Sequence, residues 1–90
     1  MKNTIPNYDE RIKPLIKEIQ KNKGMEAKIV AEFGKLMGEP VHRNIVHGWL
    51  HPNAKKRNEP SYTRGMRLFE AITIAMVLIN KDAQLKERVK

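Results

Sequence analysis

The chain contains no cysteine, so neither disulfides nor thiolate metal sites are available and stability must come from packing or oligomerisation. Long apolar runs are missing as well. The longest, Ile74 to Ile79, is far too short to span a bilayer. The N-terminal stretch is polar and carries Pro6, with no apolar run behind a basic segment, so it does not read as a secretory signal. These absences predict a soluble chain, cytoplasmic rather than membrane-bound or exported. Aromatics are scarce: one Trp, two Tyr and two Phe leave little for the exposed stacking platforms of single-strand RNA binders. Acidic residues are the remaining shortage. Ten Asp and Glu stand against eighteen Lys and Arg, a formal charge of +8, and such an excess biases the partner towards a polyanion. No Ser/His/Asp set, phosphate-binding glycine loop or carboxylate pair is visible, so no enzyme activity and no small-molecule ligand are expected. His47 and His51 have a metal-gripping i, i+4 spacing but no third ligand, so no metal or other cofactor is expected either.

What is present suits one small domain of ninety residues. The reading divides it into a flexible arm over 1–8, a helical domain over 9–80 and a polar tail over 81–90. Ile12, Leu15, Ile16 and Ile19 follow the i, i+3, i+4, i+7 spacing of one buried helical stripe. Pro14 predicts that this helix starts close to it, with Asp9 or Glu10 capping an irregular first turn and Gly24 beyond its end. A second helix is predicted from about Glu26 to Met37, its stripe formed by Ile29, Val30, Phe33, Leu36 and Met37. Gly34 inside it suggests that another helix crosses too closely for a methyl group, and Gly38 suits its end.

The third helix is the stretch around which the chain is organised. Starting it at Pro40 and advancing about 100° per residue, Ile45, Val46, Trp49 and Leu50 share one arc. Asn44, His47, Gly48 and His51 share the opposite one, with Arg43 at its edge and His42 turned towards the core. Arginine pairs bidentately with guanine and asparagine with adenine in the major groove, and such contacts come from the start of a reading helix. Arg43, Asn44, His47 and His51 are therefore the candidate base-reading residues, with Trp49 as core anchor. Gly48 reads as room for the nucleic acid. The loop bracketed by Pro52 and Pro60 carries Lys55, Lys56 and Arg57, suited to phosphate contacts that position without reading sequence. Ser61 or Thr63 can cap a fourth helix and offer its N-terminus to a phosphate beside Arg64.

The fourth helix, predicted to about Ile79, is apolar nearly all round. Leu68, Ile72, Ala75, Met76 and Ile79 form one stripe; Met66, Phe69 and Val77 begin another. One stripe is assigned to the core and the other, with Phe69, Thr73 and Val77, to a second subunit. The β-branched cluster from Ile72 to Ile79 leaves a strand as the alternative.

Phe33-Gly34, Met37-Gly38 and Val46-x-x-Trp49, followed by the basic loop and Pro60, resemble the helix-turn-helix of the lambda repressor and Cro superfamily over roughly Ile12 to Ile79. Gly38 to Val46 is longer than that family's usual turn, and Gly34 stands where alanine is usual. The resemblance implies an all-α, compact bundle of four to five helices. It also implies a sequence-specific, double-stranded DNA-binding transcriptional regulator of repressor type, a homodimer on a palindromic operator, in a phage, plasmid or bacterial circuit and so nucleoid-associated. The alternative is a protein-interaction module, such as an antitoxin or phage accessory factor, that uses the apolar fourth helix.

Overall fold

The computed structural model describes residues 4–88, with side chains to Lys81. The described chain is all-α and compact, with helix over 69% and no strand. Its elements are α1 (Tyr8–Lys21), α2 (Met25–Met37), α3 (Arg43–Trp49) and α4 (Tyr62–Arg88). The Ile72–Ile79 cluster is therefore helical.

Helix α1 starts a full turn before the position that Pro14 suggested. Tyr8 extends the apolar stripe backwards, and Tyr8, Ile12 and Ile16 are all buried at i, i+4, i+8. That burial outweighs the backbone bond that Pro14 cannot donate to Glu10. Both residues are exposed, so water can satisfy the orphaned carbonyl. Asn7, at φ 57°, occupies the N-cap, and Asp9 and Glu10 lie in the first turn rather than capping it. Residues 4–8 are no free arm: Ile5 and Tyr8 are buried, and Thr4 forms a β-bridge with Ser61. Residues 1–3 of the expected arm lie outside the described chain. The start of the chain also explains a helical glycine. A Cβ on Gly65 of α4 would collide with the Ile5 side chain.

The stripe of α2 is buried as expected, through Met25, Ile29 and Phe33. Gly38 ends the helix at φ 75°, and the Glu39 N–H returns to the Gly34 carbonyl at 3.2 Å while that of Gly38 reaches Lys35 at 3.3 Å. This turn accounts for Gly34. A Cβ there would lie 3.3 Å from the Glu39 carbonyl oxygen, so the close neighbour is the turn's own backbone and not a crossing helix.

Helix α4 packs chiefly against α2. Leu68, Ala71, Ile72 and Ala75 are buried on one face, with Met76 and Ile79 partly covered. At 27 residues the helix is about 40 Å long, well past the expected end at Ile79, and its backbone carries residues 81–88 of the expected tail; the side chains beyond Lys81, and residues 89–90, lie outside the description. No described helix is long and apolar enough to cross a membrane.

Candidate nucleic-acid interface

Helix α3 has only seven residues, Arg43 to Trp49, because Pro40 to His42 form the turn. His42 is exposed and does not face the core. Its Nδ1 accepts the Asn44 N–H at 3.1 Å and caps the helix. Val46, Trp49 and Leu50 are buried, and the Trp49 ring meets Phe33 edge to face at 5.4 Å. The Tyr8 hydroxyl donates to the Trp49 carbonyl at 2.8 Å, tying α1 to the end of α3. Burial holds the Tyr8 phenol well above its ordinary pKa. Ile45 departs from the expected arc: it is 46% exposed and lines a small cavity with Val41, Trp49 and Arg64.

Four residues were expected to read bases, and the structure divides them. Arg43 and Asn44 are exposed at the start of α3, and neither side chain is held by another group. His47 is exposed, with its Nδ1 on Glu26 Oε1 at 2.8 Å. A carboxylate only accepts, so Nδ1 is the donor in this bond. His51 is half-buried and contacts the His47 ring edge to face at 5.8 Å. Its Nδ1 accepts the Asn53 N–H at 3.0 Å, which makes it an organiser of the following loop. Gly48 does not leave open room. The Asn58 N–H binds its carbonyl at 3.0 Å, and a Cβ at Gly48 would meet the Asn58 amide nitrogen at 3.0 Å. The loop thus closes over the C-terminal half of α3, and Arg43, Asn44 and His47 form the open half.

The basic run of the loop is split in the same way. Lys55 and Lys56 are exposed and unpaired, their backbone held in a turn by Asn53, whose Oδ1 accepts the Lys55 N–H and whose carbonyl accepts that of Lys56, both at 3.0 Å. Arg57 is a correction to the phosphate-binding set. Its side chain is only 4% exposed and pairs with Asp9 at 3.1 Å, while it also donates to the His51 and Pro52 carbonyls at 2.8 and 3.4 Å. Arg57 is a strut that fastens the loop to α1. Ser61 caps α4, its Oγ accepting the Arg64 N–H at 3.4 Å, and Thr63 and Arg64 are exposed beside it.

The face of α4 expected to meet a second subunit is partly used by this chain. Phe69 is half-buried, edge-on to Tyr8 at 6.1 Å and beneath the Arg11 guanidinium at 5.1 Å. Thr73 is exposed and bonds back to the Phe69 carbonyl at 3.0 Å. Val77 is exposed, as are Tyr62, Met66 and Leu78. Tyr62 and Leu78 were missed in the sequence; for Tyr62 the signal is its place four residues before Met66, on the same helical face.

Charge pairing sharpens the polarity. Ion pairs consume Lys21, Lys35, Arg57 and Arg67, each on a neighbouring carboxylate. Arg11, Lys13, Lys17, Lys23, Arg43, Lys55, Lys56, Arg64 and Lys81 have no ion pair, against Glu10, Glu39, Glu59 and the His47-bound Glu26 on the acidic side, among residues with described side chains. The unneutralised surface is therefore basic.

No protein-family model matches this chain, and no curated protein or solved structure matches it either.

Proposed function

We propose that this chain is a sequence-specific double-stranded DNA-binding regulator of repressor type, with α2 and α3 as a lambda repressor-like helix-turn-helix. It works in the cytoplasm as a nucleoid-associated homodimer. The observation that carries the reading is the open half of α3. Its apolar back is locked by Val46 and Trp49, and on the other side Arg43 and Asn44 stand free of the fold, with His47 exposed beside them on Glu26. A rigid helix with donors and acceptors at its N-terminal end is what base-edge readout in the major groove requires. The excess of unpaired cations supplies the sequence-independent attraction.

Selection of bound sites from random duplex DNA tests this reading. A palindrome with half-sites about one helical turn apart, roughly 10–10.5 base pairs, is the expected result, and failure to enrich any sequence contradicts it. A second reading is favoured by the exposed Tyr62, Met66 and Val77 of α4: a protein-interaction module, antitoxin or phage accessory factor, that docks a foreign partner there. Sedimentation of the purified chain as a monomer, with no salt-dependent duplex binding, would support the second reading over the first.

A further inference from the structure

We propose that one phosphate strand of the bound duplex runs along Lys13, Lys17 and Lys23 of α1 and the α1–α2 turn, an inference that rests on α3 being the DNA-reading helix. Three adjoining grooves trace the path. One is lined by Lys13, Lys17 and Gln20 on one side and by Pro52 and Ala54 of the basic loop on the other. The next shares Gln20 and Pro52 with it and adds Lys23, Glu26 and His47. The last shares Glu26 and ends at Arg43. The shared lining makes the three continuous, so a single path leads from α1 past His47 to the first residue of α3.

Lysines on a solvated helix face are common, and exposure alone would say little. Pairing separates these three from their neighbours. Lys21 and Lys35 lie on glutamates at 3.4 and 3.3 Å, whereas Lys13, Lys17 and Lys23 have no carboxylate within ion-pair reach. Of the acids that line the path, Asp9 is neutralised by Arg57, while Glu10 has no cationic partner and Glu26 bonds to the His47 ring, so Lys13, Lys17, Lys23 and Arg43 outnumber the two carboxylates that keep their charge. A row of unneutralised cations repels itself and gains most from an anion that binds along its length. From Lys13 to the end of α1 at Lys21 is about 12 Å at helical rise, the axial length of about three to four phosphates on one strand, and Lys23 stands two residues beyond. Lys55 and Lys56, beside the first groove, extend the same positive surface.

The test is the salt dependence of full-chain binding to a random-sequence duplex, for the wild type, for Lys13→Gln/Lys17→Gln/Lys23→Gln together, and for Lys81→Gln on α4 as charge control. The triple variant should lower the slope of log K against log salt by about 2.7, three contacts at about 0.9 each, with the control unchanged. If circular dichroism shows lost helix in the triple variant, Lys17→Gln alone should lower the slope by about 0.9. A wild type that binds steeply while the variants keep its slope overturns the track and leaves the α3 reading standing. An equal per-charge loss at Lys81 overturns it too, because the effect is then one of net charge. No salt-dependent duplex binding by the wild type removes both readings, and tighter binding to single-stranded RNA overturns the assignment to a duplex.

Discussion

The two halves of α3 present polar groups at similar spacing, yet only one half is free. Gly48, and His51 just past the helix, are built into the loop through Asn58 and Asn53, while Arg43 and Asn44 keep their side chains unengaged. The basic loop repeats the contrast, with Arg57 bound internally and Lys55 and Lys56 left to solvent. The lesson is that one polar face divides into a part that holds the fold and a part that can meet a ligand. Hydrogen-bond bookkeeping separates them where helical periodicity does not.

Substitutions on either side of this division should behave differently. The largest effect is expected for Arg57→Ala, which strands Asp9 and two carbonyls. A loss of about 2–3 kcal/mol in urea unfolding is predicted, with binding weakened on every sequence as the loop loosens. Tyr8→Phe removes the bond to the closed end of α3 and should cost about 1–2 kcal/mol. It carries a pH signature as well. The fold raises the phenol's pKa, so the folded state holds the proton more tightly. That contribution is complete below the unfolded value of about 10 and is lost as pH rises beyond it. Unfolding of Tyr8→Phe should therefore lose less stability than the wild type above that pH.

On the open side, Lys56→Ala should leave stability within about 0.5 kcal/mol. It should weaken binding to all duplexes alike and lower the salt slope by about 0.9. Gly48→Ala gives the smallest effect. Better helix propensity, up to about 1 kcal/mol, is offset by displacement of the Asn58 amide, a movable side-chain end. Base preference should not change, because the loop already covers this residue. Altered preference in site selection would show that Gly48 is open to DNA and that the division of α3 is drawn in the wrong place.

The sequence made the helical class legible through its apolar stripes, and Gly38 placed the end of α2 correctly because a left-handed turn needs glycine there. Long-range partners were not legible. Tyr8 was assigned to the flexible arm although it stands four residues before Ile12, and only the contact with Trp49 shows why burial there overrides Pro14. Arg57 looked equivalent to Lys55 and Lys56 because its partners, Asp9 and the His51 carbonyl, are brought to it by the fold. His42 and Ile45 were misassigned together: starting the helix at Pro40 rotated the expected faces, and the true start at Arg43 makes His42 a cap. Of the candidate site, Arg43, Asn44 and the two loop lysines were visible beforehand. The lysines of α1 were not, since their relation to α3 exists only once α1 and the loop lie side by side.

The central claim is that the open half of α3 distinguishes base pairs, and Arg43→Ala tests it most directly. Binding of wild type and variant should be compared on a selected operator and on random duplex at one salt concentration. The variant should fold normally and lose about 1–3 kcal/mol on the operator, with a much smaller loss on random DNA. Equal losses on the two duplexes would contradict the claim and reduce Arg43 to one more phosphate contact.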